Sequence, residues 1–140
     1  MSEDIWSSVK VGDEYGFELK DVSRTHFVRY AGAGGDFNPI HHDQTFAEKA
    51  GLPTVFGMGM FTAGVLARVP TEWFGATSVR RYAIKFTSRI WPGDTVSFRG
   101  RVQRLYDEDG LAHADLELRA TNQKGEDLIR ADATVRAWEP

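Results

Sequence analysis

Cysteine is absent from the 140 residues. Its absence excludes disulfides, thiolate zinc sites and a cysteine nucleophile. Runs of basic residues are missing too. The 17 Lys and Arg are scattered among 20 Asp and Glu, and the net charge is −3. A nucleic-acid binder is therefore not expected. The first residues, Met1-Ser2-Glu3-Asp4, are acidic and lack an apolar run. No signal peptide is expected there, and a cytoplasmic setting is compatible with that and with the lack of cysteine. One long stretch lacks charge, from Gly51 to Ala67, but Pro53 and four glycines interrupt it. A helix buried inside a globular protein explains it better than a membrane span. Repeats, linkers and low-complexity tracts are also missing. With 41% hydrophobic and 26% charged residues, the chain reads as one globular domain over residues 1–140.

Proton-handling chemistry is concentrated in one place. Gly34-Gly35-Asp36-Phe37-Asn38-Pro39-Ile40-His41-His42-Asp43 holds carboxylates, an amide and two imidazoles within ten residues. Gly34 and Gly35 permit backbone angles with positive φ. Pro39 fixes its own φ and pushes Asn38 towards an extended conformation. Gly-Asp-x-Asn-Pro is also ordinary turn chemistry, because Asp and Asn cap their own backbone. A simple turn, however, has no use for His41 directly after the Pro39-Ile40 anchor. The spacing suits a bent loop that aims Asp36 and His41 at one point, where they would exchange a proton with water or substrate near neutral pH.

The remainder reads as scaffold. Tyr15, Phe17 and Leu19 alternate as in a half-buried strand. Ser23 caps an expected helix over about 24–33, with Phe27, Tyr30 and Ala31 facing inward. Asp43 caps a short helix through Lys49 that Gly51 stops. The uncharged stretch gives a helix over about 57–69 that is apolar all round and hence buried. Gly59, Ala63, Gly64 and Ala67 would let a sheet approach it, and Pro70 is expected to kink or end it. Amides at Gly59 and Met60, at its N-terminus, could face a developing negative charge, although packing alone also explains the glycine. Four long alternating stretches follow. They include Tyr82 to Phe86, Val96 to Val102, Ala112 to Ala120 and Ile129 to Ala137, and turn sequences such as Trp91-Pro92-Gly93-Asp94 separate them. They are expected to form an antiparallel meander. The economical packing is α+β, a sheet wrapped around the helix, with open edges that a dimer would protect.

The string Tyr30-Ala31-Gly32-Ala33-Gly34-Gly35-Asp36-Phe37-Asn38-Pro39-Ile40-His41 resembles the hydratase motif of the MaoC-like, (R)-specific enoyl-thioester hydratases. The resemblance runs over nearly the whole chain and includes the Trp91-Pro92-Gly93-Asp94 turn. It implies a hot-dog fold in a single domain and a homodimer, or a heteromer with a related hot-dog subunit. It also implies hydration of trans-2-enoyl thioesters to (R)-3-hydroxyacyl thioesters, or the reverse dehydration. Under it, Asp36 and His41 are the acid/base pair, Asn38 orients the loop or the water, and Gly59 offers its amide to the thioester carbonyl. Neither a metal nor an organic cofactor is implied; CoA or a carrier phosphopantetheine belongs to the substrate. One position departs. Met58-Gly59-Met60 stands where His-Gly-Met is common in the family. That departure keeps open an accessory role beside a catalytic subunit. Thioester hydrolysis on the same fold is a further alternative, opposed by the Asn-Pro-x-His tail. His42 is expected to be peripheral, and His26 and His113 receive no role. Arg80, Arg81, Lys85 and Arg89 could meet substrate phosphates or simply form a solvated strand face.

Overall fold

Alternating side chains make most of the scaffold. The structure, a computed structural model, describes residues 4–138. The acidic start read above lies, apart from Asp4, outside the described residues. Five strands form one antiparallel sheet: β1 (Glu14–Leu19), β2 (Val79–Phe86), β3 (Val96–Glu108), β4 (Leu111–Asn122) and β5 (Asp127–Arg136). A short helix α1 (Ile5–Ser8), too brief to show a sequence period, precedes them. The helix α4 (Gly59–Phe74) packs on the sheet through Leu66 and Val69, which are fully buried with Phe98, Leu116 and Leu118 of β3 and β4. Gly100 on β3 allows that approach. A Cβ there would lie 2.7 Å from the Val69 side chain. Tyr82 of β2 ties the layers together by donating its hydroxyl to the Ala63 carbonyl at 2.7 Å. Burial pushes its phenol above the ordinary value of 10.0.

The sheet order is β1-β3-β4-β5-β2. Only β3, β4 and β5 form the expected meander. β2 lies at the far edge, paired with β5, and does not pair with β3. The reason is the length and route of the connection. A hairpin joins strands through two to five residues, whereas Thr87 to Thr95 form a crossover. Along it the Gly57 amide donates to Ile90 O at 2.9 Å, and Val22 donates to Asp94 O at 2.8 Å. The Trp91-Pro92-Gly93-Asp94 turn forms within this crossover, with Asp94 N donating to Trp91 O.

Two expectations about α4 need correction. Pro70 does not end the helix, which continues to Phe74. The proline deprives the Leu66 carbonyl of its usual amide partner, and Thr71 Oγ1 reinforces the turn by donating to Ala67 O at 3.0 Å. Nor is the helix covered on every side within this chain. Met60 and Gly64 are exposed, and a Cβ at Gly64 would meet nothing within 4 Å. Gly59 and Ala63 are the small residues that face close neighbours. None of the helices in the described residues is long and apolar enough to cross a membrane.

Candidate active site

The loop that carries the polar residues is built by its own side chains. Helix α2 (Arg24–Gly34) ends when Gly35 adopts a left-handed φ of 72° and donates its amide to Ala31 O. At the other end of α2, the Ser23 amide donates to His26 Nδ1 at 2.9 Å. His26 is thus a capping residue, a role its sequence position did not announce. Beyond Gly35, Asp36 Oδ1 accepts from the Asn38 amide at 3.3 Å, and Asn38 Oδ1 accepts from the Ile40 amide at 3.1 Å. With Pro39 in the first turn, these bonds set a 3₁₀ turn over Pro39–His41. The next helix, α3 (Gln44–Lys49), starts where Asp43 accepts from the Phe46 amide.

This turn delivers His41 to a buried position. Its Nδ1 lies 2.7 Å from the Phe56 carbonyl oxygen. A carbonyl only accepts, so Nδ1 carries the hydrogen, and the lone pair of the neutral ring sits on Nε2. Nε2 is 3.7 Å from Asp36 Oδ2. That gap is too long for a direct hydrogen bond. A water about 2.8 Å from each atom would sit at the apex of a triangle over the pair. Asp36 keeps 43% of its side chain exposed, which leaves that apex accessible, while the His41 side chain is 10% exposed.

Gly59 opens helix α4. Met58 supplies no side-chain cap, and among the described residues the Gly59 and Met60 amides have no hydrogen-bond acceptor. They therefore present free donors at the positive end of a four-turn helix. Gly59 also lines a cavity of about 600 Å³ together with Phe56, Thr62, Phe86, Arg89 and Trp91. That volume is within the range of small-molecule sites. Asp36 and His41 do not line this cavity. Phe56 connects the two places: its carbonyl holds His41, and its ring, edge-on to the imidazole at 5.1 Å, forms part of the cavity wall.

The sequence-derived residues thus divide. Asp36 and His41 come together, and Gly59 stands at the cavity. The Asn38 carbonyl oxygen is spent on its own turn, so Asn38 orients the loop rather than a water through that atom. His42 is exposed, and His113 sits near the start of β4, stacked on Tyr106. Of the four basic residues considered, Arg89 alone lines the cavity, with its guanidinium 5.0 Å over the Phe56 ring. Phe56 and Phe86 escaped the sequence reading. The useful atom of Phe56 is a backbone oxygen, invisible to residue type, and Phe86 looked like one more alternating strand residue. Among the described residues no group of three or more His, Asp or Glu side chains could hold a metal.

Five antiparallel strands wrapped on one long helix define a hot-dog domain, with an Asp-His loop and a free helix N-terminus joined through Phe56. Residues 7–123 match the family model for the MaoC like domain, and the chain belongs to that family. It is 38% identical over 92 residues to 3-hydroxyacyl-thioester dehydratase X of Mycobacterium tuberculosis, which covers 65% of this chain and 29% of that protein. The fold is similar to that of R-hydratase PhaJ1 from Pseudomonas aeruginosa, with a TM-score of 0.85 at 20% identity over 96% of this chain and 86% of that one. It is also similar to a chain of the ChsH1-ChsH2 complex from Mycobacterium tuberculosis, with a TM-score of 0.78 at 25% identity over 93% and 99% of the two chains. The chain spans less than a third of the curated relatives it matches.

Proposed function

We propose that this domain catalyses the (R)-specific hydration of trans-2-enoyl thioesters to (R)-3-hydroxyacyl thioesters, or the reverse dehydration. The observation that carries the reading is the orientation of His41. Its Nδ1 hydrogen is committed to Phe56 O, so Nε2 turns its lone pair towards Asp36 Oδ2 at 3.7 Å. A water held by both groups gives up a proton to the pair, and its oxygen bonds to the β-carbon. The electron pair of the double bond moves towards the thioester carbonyl, and the α-carbon takes a proton back from the pair. Between those steps the carbonyl oxygen carries enolate charge. The free Gly59 amide, at the positive end of α4, is the donor for it; removing one such donor costs about 3–4 kcal/mol in a barrier. Asn38 holds the turn that presents His41. CoA or a carrier phosphopantetheine enters as part of the substrate, and this chemistry calls for no metal or organic cofactor.

The test is direct. Purified protein incubated with crotonyl-CoA and longer enoyl-CoAs should bleach the absorbance of the conjugated thioester. Asp36→Asn and His41→Ala should each lower kcat by about 10²–10⁴-fold in folded protein. Unchanged absorbance at every chain length, with ample enzyme, would contradict the reading.

A second reading has support of its own. The likeness to a chain of a two-component complex, together with Met58 before Gly59, fits a subunit that works beside a related hot-dog chain. Homodimer and heteromer alike would cover the exposed part of α4 or the open edges at β1 and β2. Activity that arises only on mixing with a second hot-dog subunit would favour the heteromer.

A further inference from the structure

Thr62 stands in the first turn of α4, three residues after Gly59, so the two share one face of the helix. Every Cα–Cβ bond of an α-helix tilts towards its N-terminus. The Thr62 side chain therefore leans towards the free Gly59 amide. Only 2% of the residue is exposed. A threonine inside a helix commonly donates its hydroxyl to the carbonyl four residues back. Thr71 of the same helix does so, to Ala67 O at 3.0 Å. Thr62 Oγ1 makes no such bond to Met58 O, and among the described residues it has no other partner. Nor is it sealed off. Among the described residues Arg136 Nε is the one side-chain nitrogen or oxygen that is closed to solvent and without a partner. The Thr62 oxygen therefore opens onto accessible space, and the space that Thr62 lines is the cavity at Gly59. Thr87, Ser88, Arg89 and Glu126 make much of that cavity polar.

We infer that the Thr62 hydroxyl is a second hydrogen-bond donor to the thioester carbonyl oxygen, acting beside the Gly59 amide. This rests on the reading that Gly59 receives that carbonyl. A carbonyl oxygen has two lone pairs and accepts two donors. One amide satisfies only one of them. The enolate oxygen formed during the reaction draws on both donors more strongly than the resting carbonyl does. The hydroxyl is on the right helix face, faces the same cavity and has nothing else to bond. Its β-branched side chain is confined to few rotamers, so the donor is held in place before the charge develops. Valine at this position keeps the shape and removes the donor. Serine keeps the donor and removes a methyl group. Because the hydroxyl bonds to nothing in the folded chain, valine should leave the melting temperature unchanged or higher.

The experiment reads the carbonyl itself. Butyryl-CoA labelled with ¹³C at the thioester carbonyl binds without reacting, and isotope-difference infrared spectra give its C=O stretch on the protein. Wild type, Thr62→Val, Thr62→Ser and Thr62→Ala are compared, with circular dichroism to confirm the fold of each. The stretch should move to lower frequency on wild type, move less on Thr62→Val and Thr62→Ala, and recover on Thr62→Ser. Crotonyl-CoA kinetics are measured beside it. Thr62→Val should lower kcat by about 100-fold, with KM within about 3-fold of wild type, and Thr62→Ser should restore most of the loss. A stretch that is the same on wild type and Thr62→Val would overturn the inference, as would Thr62→Ser behaving like Thr62→Val. A stretch that responds to the hydroxyl on a wild type that hydrates nothing supports the inference and removes the hydratase reading. Hydration with a stretch indifferent to position 62 does the reverse.

Discussion

In the proposed reaction His41 works with the nitrogen that is not bonded to Phe56 O. The Nδ1 hydrogen goes to Phe56 O, and that single bond decides which nitrogen faces Asp36. Asn38 matters one step earlier, because its side chain caps the turn that lifts His41 into place. Asn38→Ala removes this cap, worth about 1 kcal/mol, and should lower kcat by about 10-fold as the imidazole loses its fixed approach. Steady-state kinetics beside a melting curve would check it; wild-type kcat would contradict it. Gly59 poses a sharper case. Gly59→Ala keeps the backbone amide, and alanine is the better helix former by about 1 kcal/mol. The added methyl nevertheless meets Phe86 at 2.8 Å. Displacement of that wall should cost about 10–100-fold in kcat/KM, and Phe86→Ala in the same chain should restore part of it. A Gly59→Ala enzyme as active as wild type would show that the ring yields freely. Glycine at this position was legible in the sequence as either a donor site or a packing device. The structure gives it both features, a free amide and a ring laid against it.

Helix α4 links the site to the scaffold. Its N-terminus offers the amides, its middle fills the core, and Tyr82 fastens it to β2 through Ala63 O. Burial raises the Tyr82 phenol above its ordinary value of 10.0, so the folded state keeps a proton that the unfolded state loses. The sign follows. This contribution is fully present below pH 10 and is lost as pH rises further through the raised value. Wild type should therefore lose melting temperature above pH 10 more steeply than Tyr82→Phe, and parallel curves would contradict it. Near neutral pH the same variant should be less stable by about 1 kcal/mol, the worth of one hydrogen bond. Periodicity located this helix and its apolar character. It did not show where the helix would stop, because Pro70 reads as a terminator while local hydroxyl bonding and burial carry the helix on to Phe74. Nor did it show that Met60 and Gly64 are exposed, since an apolar residue looks the same whether its partner lies in this chain or elsewhere.

At the scale of the molecule, one core joins sheet and helix. Leu66 is fully buried against it, so Leu66→Ala should destabilise by about 2–5 kcal/mol in denaturant titration, without altering the Asp36–His41 pair directly. The antiparallel α+β architecture was legible because period-two alternation and turn residues are local signals. Strand order was not. β2 pairs with β5 through contacts remote in sequence, and the crossover from Thr87 to Thr95 contains a good turn that joins no hairpin. The Asp36–His41 convergence was legible from one short string, because both residues hang on the same loop. The cavity was not, because its walls come from the Phe56–Thr62 segment, the end of β2, the crossover and β5. What unites these scales is the proposal that Asp36 and His41, 3.7 Å apart, act on a single water as one unit. The measurement that bears on this most directly is a double-mutant cycle in kcat/KM for enoyl-CoA hydration, using Asp36→Asn, His41→Ala and the pair together. Joint action predicts strong non-additivity, with the double variant within about 3-fold of the weaker single variant. Losses that simply multiply, or a single variant with wild-type activity, would show that the two side chains do not share the reaction.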